Sequence, residues 1–356
     1  MSTRSCTICS FLIKAPTDFI FEQMKRQLHI PLILSVMIMM LCSFKADKTI
    51  TIFMIGDSTM ANKDISGDKQ ERGWGMMLCN YFDDCIVVDN HAVNGRSSKS
   101  FIDEGRWTTV YNKIKPGDYV IIQFGHNDEK ADKQRHTEPG STFDENLRKF
   151  VRETREKGGI PVLMNSVVRR NFSGSKTAVA DDDLRDNSSK TLFEGDTLID
   201  THGAYLVSPR KVAKEMGVVF IDANKITHDL EQGMGKEGSK KLHMIFSPGE
   251  HPSLPDGRQD NTHYCVYGAS KVASLLSDAL CKAIPQLAKH HIYYDVYVSK
   301  TGNGQYFDLS KAIENIPADK RTTIAITGGV WKKPVVPKGK KIKFIIIVGM
   351  QVYFGQ

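Results

Sequence analysis

Four short polar stretches hold the residue types needed to hydrolyse an ester: Gly56-Asp57-Ser58, Asn94-Gly95-Arg96-Ser97, Gly125-His126-Asn127-Asp128 and Asp260-Asn261-Thr262-His263. A serine hydroxyl is a weak nucleophile at neutral pH, so it needs a base to take its proton and a third group to hold that base. Ser58, His263 and Asp260 supply those roles. The short spacing from Asp260 to His263 lets the carboxylate accept the imidazole Nδ1 proton and leaves Nε2 free to face Ser58. Attack on an ester makes an oxyanion, which requires donors aimed at the developing charge; losing one costs on the order of 10²- to 10³-fold in rate. Three donors are at hand: the backbone N–H of Ser58, that of Gly95, where no side chain blocks approach, and the side-chain amide of Asn127. Singly, each stretch has a plainer use as a helix cap or a turn. Their order and placement together predict acyl transfer to water, with neither metal nor organic cofactor.

The elements that must position these groups are legible as apolar runs: Thr49 to Ile55, Cys85 to Asp89, Tyr119 to Phe124, Ile160 to Asn165 and Val218 to Asp222. Helical patterns alternate with them, over Thr142 to Lys157, Thr201 to Glu215 with Gly217 just beyond, and Gly268 to Ala283 before Pro285. Such alternation predicts a parallel α/β sheet. Ligands of open parallel sheets bind beyond the carboxyl ends of the strands, where the first three polar stretches fall. Asp260 to His263 follows a Pro- and Gly-rich loop and directly precedes the last helical pattern. Asn171 to Asp196 is polar and longer than most connections, and is expected to rim a groove.

Composition narrows the partners. The formal charge of +7 sits in the two ends: the first 46 residues hold 5 Lys plus Arg against 2 Asp plus Glu, and residues 293–356 hold 10 against 4. Of the totals of 48 and 41, residues 47–292 keep 33 and 35, so the central region lacks the basic stripe that nucleic acid requires. Met24-Lys25-Arg26 followed by the 15-residue apolar run Ile30 to Phe44 reads as a signal peptide, shorter than the ~20 residues of a membrane span. Export is expected, to the periplasm or the outside, with a start at Met24, cleavage near Ala46 and no permanent membrane span. Of seven cysteines, Cys79, Cys85, Cys265 and Cys281 remain beyond the leader. Their spacing is not a metal pattern, and either a Cys79–Cys85 disulfide or four buried thiols fits.

At Ser58, Gly95, Asn127 and His263 the chain resembles the SGNH, or GDSL-type, hydrolases, which are named for those residue types in that order. The resemblance implies a flavodoxin-like three-layer α/β/α sandwich with a five-stranded parallel sheet, a Ser58–His263–Asp260 triad and an oxyanion hole from Ser58, Gly95 and Asn127. Within that superfamily "IGDSTMA", "RGWG", "FGHNDEK", "DTHGAY" and "DNTHY" are similar to the rhamnogalacturonan acetylesterases, over about residues 48 to 290. That likeness implies acetylated pectic polysaccharide as substrate, with Trp74 and His126 as candidate sugar contacts. A GDSL lipase or thioesterase on other acyl esters is the alternative, and a sugar-binding module without turnover the third reading.

Residues 293–356, opening "YYDVYVSKTGNGQYFDLSKAIENIPADK", resemble the start of the pectin methylesterases, which are parallel β-helices. No methylesterase active site is assignable there. The expected domains are therefore a leader at 1–46, an esterase at 47–292 and an incomplete β-helix fragment at 293–356. Each β-helix coil needs neighbours to cover its apolar face, so this fragment, read as a truncation, is expected to be poorly stabilised.

Overall fold

A computed structural model describes residues 49–66, 69–172, 196–300, 305–326, 329–346 and 352–355. The expected leader and nearly all of the expected groove rim lie outside these residues. Thr49–Gln356 form one compact unit.

Eight strands build the larger part: β1 (Ile50–Gly56), β2 (Glu71–Arg72), β3 (Ile86–Asn90), β4 (Tyr119–Gln123), β5 (Ile160–Met164), β6 (Val219–Ile221), β7 (His243–Phe246) and β8 (Arg258–Cys265). Five of them form a parallel sheet in the order β3-β1-β4-β5-β6, the doubly wound arrangement expected. Alternate residues along each strand serve opposite faces. Ile52, Met54, Ile121, Val162 and Met164 join one core with Val272, Leu276 and Leu280 of the helix Val266–Ala283. Phe53, Ile55, Val120, Ile122 and Leu163 join the other with Phe143, Leu147 and Phe150 of the helix Thr142–Glu156. Burial on both faces is why these strands read as unbroken apolar runs.

Three features differ from the sequence reading. The helix expected over Thr201 to Glu215 starts later, as a 3₁₀ turn Gly203–Leu206 running into Val207–Met216, although Gly217 caps it at φ 60° as expected. A second helix, Ala223–Ser239, follows β6; its glycines obscure it, and Gly235 breaks its regularity at φ 71°. Asp260 and His263 lie on a strand, β8, in a small antiparallel sheet β2-β8-β7.

The C-terminal segment adds β9 (Val296–Val298), β10 (Arg321–Ile326), β11 (Gly329–Lys332), β12 (Lys341–Ile346) and β13 (Val352–Gly355). β9, β10 and β12 pair in parallel, as do β11 and β13. Val298, Leu309, Ile313, Ile324, Ile326 and Trp331 make a small core of their own, while Tyr297 joins the larger core and Tyr294 stands 5.0 Å from Tyr81, ring to ring. Among the described residues Cys79, Cys85, Cys265 and Cys281 form no disulfide with one another, so the Cys79–Cys85 bridge is not formed. Among the described residues no helix is long and apolar enough to cross a membrane.

Candidate active site

The first polar stretch turns at the end of β1. Gly56 pairs with Gln123 so closely that a Cβ there would lie 2.7 Å from the Gln123 carbonyl oxygen. Asp57, fully buried, then closes the turn: its Oδ1 accepts from Thr59 N at 2.9 Å and Thr59 Oγ1 at 2.8 Å. Burial raises its carboxyl above the usual range, against those two hydrogen bonds. Ser58, between them, is half-buried at the surface of the turn.

Trp74 supports this turn. Its backbone N–H donates to the Thr59 carbonyl at 2.9 Å and its indole N–H to Gln123 Oε1 at 2.8 Å, while Gln123 Nε2 donates to Thr59 Oγ1 at 3.0 Å. With 0% of its surface exposed, Trp74 is a structural prop and not the expected sugar contact. His126 is corrected likewise. It is 3% exposed, its ring is 4.4 Å from that of His202, and among the described residues neither ring nitrogen has a hydrogen-bond partner. Burial, then the nearby His202 and Arg169, hold it well below the usual imidazole range, so it is neutral.

The second and third stretches meet beside Ser58. Gly95 adopts φ 74°, which a side chain would strain, and its missing Cβ faces open space. Asn127 Nδ2 donates to the Arg96 carbonyl at 3.2 Å. Asp128, fully buried, ties both loops together: it accepts from Ser98 N and Ser98 Oγ on one side and from Gly125 N and Thr137 Oγ1 on the other. Burial pushes its carboxyl up to about 7. Beneath the third loop a buried cluster, Arg169, Glu129, Thr201 and His202, holds the His126 carbonyl through Arg169 Nη2 at 3.2 Å.

The fourth stretch is delivered by a break in β8. Asp260 pairs with Met244 and Tyr264 with His243, so Asn261, Thr262 and His263 are extra residues on one strand of the ladder. Arg170 fastens the break, its N–H donating to the Asn261 carbonyl at 2.9 Å and its Nη1 to Asn261 Oδ1 at 2.8 Å. Across it Asp260 Oδ1 accepts the backbone N–H of Thr262 at 2.9 Å and of His263 at 3.0 Å. Asp260 Oδ2 lies 2.9 Å from His263 Nδ1, and His263 Nε2 lies 2.9 Å from Ser58 Oγ. Burial alone would raise the Asp260 carboxyl, but the hydrogen bonds and charge of His263 with the charge of Arg258 outweigh it and hold the group well below the usual carboxylate range. An ionised Asp260 keeps the proton on Nδ1, which leaves Nε2 as acceptor for the serine hydroxyl.

The structure thus brings Ser58, His263 and Asp260 into one hydrogen-bonded line, with Gly95 and Asn127 on the loops flanking Ser58. Among the described residues neither the Ser58 nor the Gly95 backbone N–H has an acceptor. The only group of three or more described His, Cys, Asp or Glu residues with ligand atoms in reach of one another is Asp83, Cys85 and His290, within 4.8 Å. It precedes β3, at the end of the sheet opposite Ser58, and His290 Nδ1 is hydrogen-bonded to both Asp83 oxygens at 3.1 Å.

A doubly wound sheet with a serine, an imidazole and a carboxylate aligned at its switch point is the framework of a serine carboxylic-ester hydrolase. The sequence profile of the GDSL-like Lipase/Acylhydrolase family matches residues 54–254, and the chain belongs to that family. Over 233 residues it is 37% identical to the rhamnogalacturonan acetylesterase RhgT of Bacillus subtilis (strain 168), covering 65% of this chain and 90% of that one. It is 27% identical over 241 residues to the rhamnogalacturonan acetylesterase of Emericella nidulans, covering 66% of this chain and 84% of the relative. Among solved structures, the crystal structure of the Bacillus subtilis protein YxiM superposes with a TM-score of 0.51 at 25% identity, over 66% of this chain and 56% of that chain.

Proposed function

We propose that this chain is an exported serine esterase that removes acetyl groups from the rhamnogalacturonan backbone of pectin. The observation that carries this reading is Ser58 Oγ at 2.9 Å from His263 Nε2, with Asp260 at 2.9 Å behind the ring. Relatives that are named rhamnogalacturonan acetylesterases support the substrate class. Ser58 Oγ bonds to the acetyl carbon as its proton passes to His263 Nε2, and the oxyanion is met by the N–H groups of Ser58 and Gly95 and by Asn127 Nδ2. The bond to the sugar oxygen then breaks and His263 returns the proton to the freed hydroxyl. Water, deprotonated by His263, attacks the acyl-serine; the bond from the acyl carbon to Ser58 Oγ breaks, acetate leaves, and His263 returns the proton to Ser58 Oγ.

Acetate release from acetylated rhamnogalacturonan is the test, run beside acetyl xylan and p-nitrophenyl esters of rising chain length, for the wild type and Ser58→Ala. Substitution of Ser58 should cost roughly 10⁴- to 10⁶-fold. Turnover confined to long-chain esters would turn the reading to a lipase or thioesterase, preference for acetyl xylan would move it to another backbone, and no Ser58-dependent turnover would leave a sugar-binding module. Export is checked by fractionating cells that express the full chain.

For the domains, we propose an esterase at 47–292 and, at 293–356, a segment of pectin methylesterase-type β-helix. The parallel pairing of β9, β10 and β12 supports it. Limited proteolysis that removes this segment first is the expected result; resistance equal to that of the esterase counts against poor stabilisation.

A further inference from the structure

Arg258 opens β8 two residues before Asp260 and spans two carboxylates. Its Nη2 donates to Asp260 Oδ2 at 2.6 Å, the oxygen that also faces His263 Nδ1, and its Nη1 donates to Glu71 Oε2 at 2.7 Å. Glu71 lies on β2, paired with β8 through Cys265. Its other oxygen meets Lys63 Nζ at 2.8 Å, and Lys63 Nζ donates to Asn94 Oδ1 at 2.7 Å, next to Gly95. Charges of alternating sign, Lys63, Glu71, Arg258 and Asp260, therefore run from an oxyanion-hole loop to the carboxylate behind the imidazole. Side-chain exposure along the line is 5%, 22%, 31% and 1%, so salt screens it weakly. Ion pairs removed from water give little net stability, because desolvation offsets their attraction, and stability alone is a weak reason for such a line.

We infer that Arg258 is a positioning residue for the esterase reaction: it grips Asp260 and Glu71 together, fixes the carboxylate behind His263, and through Lys63 holds the Gly95 loop in register with it. The inference rests on the Ser58–His263–Asp260 reading. Only a planar guanidinium offers two arms at this geometry; a lysine supplies the charge but one point of contact. The groups facing His263 are Asp260 and Arg258 from its own strand, Glu71 from β2 with Lys63 behind it, Ser58 from the turn after β1, and His126 from the loop after β4. Of these, Arg258 and Glu71 carry opposite charges and can be removed separately.

The experiment measures kcat and KM on p-nitrophenyl acetate across pH for the full chain and for Arg258→Gln, Arg258→Lys, Glu71→Gln and Ser58→Ala, with thermal unfolding of each. Loss of one charge-assisted hydrogen bond predicts a kcat roughly 10- to 100-fold lower for Arg258→Gln with KM little changed. Removing a positive charge beside the base makes its protonated, inactive form easier to reach, so the acid limb of kcat/KM moves to higher pH; Glu71→Gln removes a negative charge and moves it to lower pH. Arg258→Lys restores the limb but not kcat. An Arg258→Gln enzyme within about twofold of wild-type kcat, or limbs that move together or not at all, overturns the inference. Where Arg258→Gln does not fold, the Glu71→Gln limb and the Arg258→Lys split decide it. Full activity of Ser58→Ala would instead sink the underlying reading.

Discussion

Asp260→Asn exchanges one carboxylate oxygen for an amide nitrogen with almost no change of volume, and it tests why Asp260 must be charged. Asp260 accepts four donors: Thr262 N and His263 N on Oδ1, His263 Nδ1 and Arg258 Nη2 on Oδ2. An amide has one accepting end. With its oxygen toward the two backbone N–H groups, its nitrogen opposes the His263 Nδ1 proton and Arg258, donor against donor. His263 escapes by carrying its proton on Nε2, which then faces Ser58 Oγ and can take nothing from it. Turned over, the amide sets its nitrogen against the two backbone N–H groups instead. Either pose loses at least one hydrogen bond to a charged group, about 1.5–3 kcal/mol, together with the negative charge that steadies an imidazolium.

The expected result is a kcat lower by roughly 10³- to 10⁴-fold with KM little changed, measured on p-nitrophenyl acetate and by acetate release. Asp260→Asn combined with Ser58→Ala should cost far less than the product of the two, since both disable one unit. A carboxyl held below its unfolded value of about 3.9 adds stability above that value and loses it as pH falls toward the folded value. Asp260→Asn should therefore unfold at a lower temperature than wild type at pH 7, and the gap should close in acid. Retention of more than a tenth of wild-type kcat at pH 7 would refute the tautomer argument.

Trp74→Phe removes the donor to Gln123 Oε1 and should destabilise by about 1–3 kcal/mol in denaturant titration, without raising KM on polysaccharide relative to p-nitrophenyl acetate. A selective rise in KM on polysaccharide would restore the sugar-contact role. For Asp128, raised by burial to about 7, the sign runs the other way from Asp260. Its contribution to stability is complete below its unfolded value of about 3.9 and is lost as pH rises through about 7. The stability of wild type relative to Asp128→Asn should accordingly fall across that window, and a difference independent of pH would contradict the raised value.

The five parallel strands and the positions of Ser58, Gly95 and Asn127 were legible because one cause explains both. Strands covered on two faces must be apolar throughout, so the first polar residues after each run mark the open end where a site can form. Trp74 was misread because residue type does not tell a prop from a platform: the same ring serves either, and the choice depends on Gln123 being within reach of its N–H. Arg258 and Asp128 were passed over since charge is the normal signature of a surface, and only tertiary pairing turns them inward.

β8 was missed for a different reason, and that reason bears on the chemistry. Arg258 to Cys265 is mostly polar and is held as a strand by pairing with β7 and β2, so no apolar pattern announces it. In an unbroken strand residues three apart point to opposite faces, and an Asp260–His263 hydrogen bond could not form. On a helix the spacing would bring them together. A sequence that asks Asp260 to hold His263 within strand-like surroundings therefore demands a break in the ladder, and the three extra residues opposite the step from His243 to Met244 supply it. The spacing that suggested a carboxylate behind an imidazole thus also carried a structural requirement. Letting β8 slip back toward register, by loosening the grip of Arg170 on Asn261, would draw the base away from Ser58 even with every catalytic side chain intact.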